Sequence, residues 1–255
     1  MALSGVGITA VLAILLLWLG SVATPLSAME QMAEKIRQAK SFIAVMTAEG
    51  QLTPETGKPP VKHKVTATIY WLAPGSSRVD FQGSAPDANG GPSAEADVTK
   101  IDLPGESQEI IIDHNAKTFY KVELPKEVPG AEIVAKLGEF SGQADRELGT
   151  KEINGKKSRG FEIDMKKLFR RPDGVGVTGQ RMAEIWIDTE SSLPVLVQFK
   201  MTKDRSEETI WIRDFHWNIH LDPKLFDTTP PKGYTDDTPS LHMPPKSSAN
   251  RGGAR

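Results

Sequence analysis

No cysteine occurs in the 255 residues, which excludes disulfides, thiolate nucleophiles, cysteine-based zinc sites and an acylated cysteine behind a leader. Charge of one sign is also lacking: Lys+Arg 31 against Asp+Glu 33 leaves a net −2, with no field to attract nucleic acid. There is no G-x-S-x-G nucleophile elbow. Carboxylates are scattered, and nothing selects one pair for acid and base work. These absences point away from an enzyme, and nothing in the sequence asks for a cofactor.

What the chain does have begins with residues 2–23 (ALSGVGITAVLAILLLWLGSVA), which carry no charge. At ~1.5 Å per residue they would make a helix long enough for a ~30 Å hydrocarbon layer. As a cleaved signal peptide the segment has an apolar centre at 11–19 and small residues Ser21 and Ala23. As a retained transmembrane anchor it uses its full length. Both readings place the rest of the chain in the periplasm or another extracytoplasmic space, tethered to the inner membrane in the second. The usual basic residues before the apolar centre are missing. The expected organisation is leader or anchor with linker at 1–27, one domain at 28–236 and a disordered tail at 237–255, since little beyond Tyr234 can be buried.

Ser27 to Glu30 has the spacing of a capping box and predicts a helix start. Met29, Met32, Ile36, Ala39, Ile43 and Met46 then recur at helical spacing, predicting one amphipathic helix through Met46. A polar connection is expected at 50–60. Val65 to Leu72 reads as a strand, and Val79 and Phe81 place its return after the Ala73-Pro74-Gly75 turn. Residues 83–95, rich in Gly, Pro, Ala and Ser, read as a loop.

Three stretches read as strand, turn, strand: 109–124 (EIIIDHNAKTFYKVEL), 147–165 (ELGTKEINGKKSRGFEIDM) and 182–201 (MAEIWIDTESSLPVLVQFKM). Asn154-Gly155 is the sharpest turn signal, because both central positions of a type I′ turn need positive φ. A short helix is expected at 129–140 with Ile133, Val134, Leu137 and Phe140 on one stripe. From Thr209 to His220, Trp211, Arg213, Phe215, Trp217 and Ile219 fall on alternate positions of a strand.

Several patterns resemble chemical sites and fail on context. His216 and His220 are four apart, but on a strand that spacing spans ~13 Å, too far for two imidazoles on one zinc. Residues 174–179 (GVGVTG) match the dinucleotide spacing, yet Arg170-Arg171-Pro172 precedes them and a strand follows. Lys166, Lys167, Arg170 and Arg171 have Asp164 and Asp173 close enough to neutralise them, and read as a solvated loop rather than a headgroup site.

More informative are the strands that are apolar on successive positions: Tyr70 and Trp71, Ile110 to Ile112, Phe119 and Tyr120, Ile185 to Ile187, Ile210 to Ile212. A sheet with one wet face alternates, so here both faces must be covered in places. Between helices and sheet lies either a close-packed core or an apolar cavity.

Three short motifs carry a family resemblance. Ile69-Tyr70-Trp71-Leu72-Ala73-Pro74 is similar to a strand ending in proline, 109–120 to a hairpin with an aromatic return strand, and 225–234 (LFDTTPPKGY) to a closing phrase, all of the LolA-like lipoprotein carriers. The RseB-like sensor domain of sigma-E regulators shares that fold. The resemblance spans roughly 28–236 and implies a mainly β fold with α: an open antiparallel β half-barrel whose helices close an apolar cavity for acyl chains or a lipidated or unfolded polypeptide. Carriers commonly have arginine before the proline, where this chain has Ala73, a departure from a lipoprotein shuttle.

The expectation is a non-catalytic domain with a cavity lined by Trp71, Phe81, Tyr120, Trp186 and Phe199, with Met32 and Ile36 on the helix above. The partner would be a lipid or lipidated protein. The alternative is an anchored sensor whose sheet contacts a membrane-bound regulatory protein in envelope-stress or anti-sigma signalling.

Overall fold

The computed structural model describes residues 27–52, 60–85, 94–103, 108–123, 131–168, 180–203 and 206–238. The leader, the glycine-rich match at 174–179 and the arginines at 170 and 171 lie outside them, as does most of the tail. In chain order the elements are α1 (Ala28–Gln38), β1 (Ser41–Leu52), β2 (Val61–Leu72), β3 (Ser76–Ala85), β4 (Ala94–Asp102), β5 (Gln108–Asp113), β6 (Thr118–Glu123) and α2 (Ala131–Glu139). There follow β7 (Arg146–Ile153), β8 (Lys156–Asp164), the single turn α3 (Met165–Leu168), β9 (Gln180–Asp188), β10 (Pro194–Lys203), β11 (Ser206–Trp217), a 3-10 turn (Pro223–Phe226) and β12 (Thr235–Asp236).

Among the described residues the twelve strands form one sheet in the order β12-β6-β5-β4-β3-β2-β1-β11-β10-β9-β8-β7. Each pairing is antiparallel except β12 against β6. The sheet is not closed: β12 and β7 are its two ends. This is the open, mainly β architecture expected, with α1 and α2 on one face.

That helix-bearing face is closely packed. Met29, Met32, Ala33 and Ile36 of α1 are buried on the sheet, each large side chain worth about 2 kcal/mol. Ile133, Val134 and Leu137 of α2, with Phe140 just after it, are buried beside them. The two helices meet where Gly138 admits Ile36: a Cβ there would lie 3.0 Å from Ile36 Cγ2. Arg37 Nη1 donates to the Gly138 carbonyl at 2.6 Å.

The expected helix through Met46 is corrected. It stops at Gln38, Ala39 is already extended, and β1 starts at Ser41. Phe42, Ile43, Val45 and Thr47 favour strand. Their burial follows period two, with Phe42, Ala44 and Met46 in the helix-side core and Ile43 against the opposite face. Likewise Gly50 to Leu52 complete β1 instead of opening a connection. The loop expected at 83–95 is trimmed from both sides, β3 running to Ala85 and β4 starting at Ala94.

The alternation expected from Trp211 to Ile219 is broken by a bulge. Ile43 pairs with His216 but Val45 with Arg213, and Asp214 has φ 55. The extra residue reverses the facing, so Ile212, Phe215 and Trp217 share the helix-side core while Ile219 joins the far face. The Asn154-Gly155 turn has φ of 50 and 75, as its sequence requires.

The far face is covered by the chain's own end. Leu221 and Phe226 are buried against Ile101, Ile110 and Ile112. A polar relay fastens this strap. Arg78 Nε donates to Asp80 at 2.8 Å and Arg78 Nη1 to the Leu225 carbonyl at 3.2 Å. Thr99 donates its hydroxyl to Asp80 at 2.7 Å, so it must accept from His114 Nε2 at 3.0 Å. His114 Nδ1 and the Tyr234 hydroxyl are hydrogen-bonded at 3.1 Å.

Farther along the far face, Trp186 lies across Gly160, where a Cβ would meet the indole at 2.7 Å. Gly160→Ala is expected to displace the ring and lower stability by about 1–3 kcal/mol. Urea denaturation and a red-shifted tryptophan emission would check it.

Candidate ligand-binding site

A cavity of about 590 Å³ opens where the start of α1 crosses the outer strands β8 and β9. Its lining is contributed by Ser27 to Met29 and Gln31, the 143–147 segment, Arg159 and Phe161 of β8, Ile187 and Asp188, and the turn residues Thr189 and Ser192. Met29, Phe161 and Ile187 are buried members of the helix-side core, so the floor is continuous with it.

The capping box fixes the helix start at this mouth. Ser27 Oγ accepts from the Glu30 N–H at 3.2 Å, and Glu30 Oε2 accepts from the Ser27 N–H at 2.7 Å. The rim is charged but internally paired. Arg159 pairs with Glu147, Lys167 with Asp145, and Arg146 with Glu162 at 2.9 Å.

The Lys167 ammonium, with the Asp164 N–H, holds the Asp145 carboxyl below its usual range. Burial pushes Asp188 up, but the Ser191 hydroxyl and the Glu190 N–H outweigh it and keep its carboxyl low. Both stay ionised at neutral pH and accept hydrogen bonds. The arrangement is an apolar floor inside a zwitterionic collar.

The seven residues expected to bind ligand are distributed as follows. Met32, Ile36 and Phe199 are buried in the helix-side core, with Trp71 and Phe81 half-buried against the same cluster. Trp71 stacks on Phe42 with centroids 5.7 Å apart, and Phe42 in turn meets Trp217 at 5.0 Å. Tyr120 and Trp186 stand apart. Tyr120 shares a cross-strand row with Lys100 and Ile111, and Trp186 lies on the far face with Lys151 Nζ 3.7 Å from its ring centroid. The lining of the 590 Å³ cavity is a different set. Its 143–147 segment carries no periodic pattern, so no sequence signal marks it.

Beside Tyr120 is a buried polar group that the sequence did not announce. Lys100 pairs with Glu109, and Asp102 stands directly opposite Glu109 across β4 and β5. Ser77 donates to Asp102 Oδ2 at 3.0 Å. Burial pushes the Glu109 carboxyl up; Lys100 opposes this and the Asp102 charge adds to it. Among the described residues, no three histidine, aspartate or glutamate side chains converge on a metal position. His216 and His220 are both exposed.

The fold and cavity define an open antiparallel half-barrel with helices on one face and a part-apolar mouth at its edge. The chain matches no protein-family model and no curated protein. Among solved structures it is similar to LprF from Mycobacterium bovis, at 13% identity over 81% of this chain and 95% of that one, with a TM-score of 0.48. It is also similar to a LolA superfamily protein from Nitrosomonas europaea, at 13% identity over 78% and 96%, TM-score 0.29. MucB of the Pseudomonas aeruginosa MucA/MucB complex is similar at 13% identity over 79% of this chain and 60% of that one, TM-score 0.34.

A carboxyl whose pKa is raised in the fold lends stability that is present below its unfolded pKa and lost as pH rises through the folded value. Stability should therefore fall as pH rises above the ordinary glutamate range, about 4.3, and Glu109 ionises. Asp102→Asn removes the neighbouring charge and should reduce that fall in part, burial remaining its main cause. Urea midpoints at pH 4, 5, 6 and 7 for both proteins would check it.

Proposed function

We propose that this domain is a non-catalytic binding module, exported or membrane-anchored, that captures the apolar part of a lipid, a lipidated protein or an unfolded polypeptide. The observation that carries the reading is the mouth at the start of α1, about 590 Å³ with its floor running into the helix-side core. That volume lies within the range of small-molecule sites. The chemistry is hydrophobic capture. Burying about 300 Å² of apolar ligand surface at ~25 cal/mol per Å² supplies roughly 7 kcal/mol, from which association costs must be subtracted.

A ligand longer than the mouth enters by displacing the close packing beneath α1. There it meets Met32, Ile36 and Phe199, then Trp71 and Phe81. Methionine suits a surface that must repack around a guest, because its chain is flexible and polarisable. The collar, in which Lys156 also lies 3.8 Å from Asp188, supplies hydrogen bonds to a polar head without imposing a net charge. In this reading residues 2–23 direct the domain to the extracytoplasmic side of the membrane, where lipid and lipidated partners are found.

Delipidated protein should take up a fluorescent fatty acid. Ala28→Trp, which fills the mouth, should weaken uptake about tenfold or more, or at least ~1.4 kcal/mol. Trp71→Asp should weaken it as well if the chain runs beneath α1, and should leave it unchanged if the ligand ends in the mouth. Absence of uptake by the wild-type domain would remove the binding reading and favour a sensor acting by protein contact.

A further inference from the structure

The β6 edge of the sheet is closed by the chain's own C-terminal segment in an unusual way. Thr235 and Asp236 run parallel to β6, opposite Thr118 and Phe119. The Thr235 N–H donates to the Lys117 carbonyl at 3.0 Å, and the Asp237 N–H to the Phe119 carbonyl at 2.8 Å. The Lys121 N–H donates to Thr238 Oγ1 at 3.0 Å. These bonds satisfy backbone groups that an edge strand otherwise presents to any extended chain.

The strap has two parts of different character. Upstream, Leu221 and Phe226 are buried and Tyr234 is tied to His114, so this part is anchored. Downstream, residues 235–238 are all exposed, and only main-chain bonds and one hydroxyl hold them. Charge fits the pairing: Lys117 and Lys121 are exposed on the β6 side, and Asp236 and Asp237 stand on the strap. Hydrogen bonds from Thr238 keep the Asp236 carboxyl ionised, and Lys121 adds to the effect.

We propose that the β6 edge is a docking strand for an extended acidic peptide segment of a partner protein, and that Thr235 to Thr238 is its resident stand-in. Recognition has two components. Main-chain bonds to Lys117, Phe119 and Lys121 give strand addition, and the two lysines select acidic side chains. Because the upstream part stays anchored, the stand-in competes at an effective concentration of order mM. A partner binds only when it offers more contact along β6 than these four residues do. The opposite edge, β7, carries a bulge at Gly149 that disfavours such pairing.

The test uses the full chain with Asp237→Pro, which deletes the N–H bonded to Phe119, and a labelled peptide of sequence KGYTDDTPS. The variant should bind this peptide at least about tenfold more tightly than the wild type. Binding should weaken in high salt and vanish when both peptide aspartates are lysine. Hydrogen exchange at the Lys121 amide reports whether the edge is open. An open edge that binds no peptide would overturn the proposal, and so would an amide that stays protected in the variant, since the pairing would then not be displaceable.

Discussion

A sheet that is apolar on both faces must find two covers, and that constraint organises this molecule. On one side α1 and α2 supply the cover, meeting at Gly138 and burying a methionine and isoleucine stripe. On the other side no helix is available among the described residues, and the segment from Leu221 to Tyr234 takes the role with two buried side chains and a polar relay. Helices are wide and short relative to twelve strands. The mouth lies where the first helix begins, at the margin of its cover.

Much of this was legible in the residues. The capping box at Ser27 and Glu30, the Asn154-Gly155 turn and the Ile133 to Phe140 stripe each rest on local physics, and each forms as expected. The doubly apolar strands foretold two covered faces. The closing phrase at 225–234 belongs to the second cover, with Phe226 buried and Tyr234 bonded to His114.

Other features were hidden for definite reasons. Ala39, Ile43 and Met46 continue the helical period of α1 by coincidence; tertiary pairing of β1 between β2 and β11 overrode it. The bulge at Asp214 depends on one residue in the left-handed region, which an alternation pattern cannot report. Strand β4 carries no plain sequence signal because Lys100 and Asp102 face the helix side, where an apolar pattern is expected, and become tolerable only beside Glu109 and Ser77. The cavity lining combines four separate stretches of chain, and no single stretch carries its signature.

The pairing of β1 with β11 has a temporal consequence. It joins segments far apart in sequence, as the bond from the Lys40 N–H to Asn218 across 178 positions illustrates. The first strand made therefore waits for nearly the last before the middle of the sheet exists. Closing so large a loop is entropically expensive and slows folding. While such a chain is being made, β1 and the apolar stripe of α1 remain without their final neighbours. The domain would thus itself need shelter until its C-terminal third arrives.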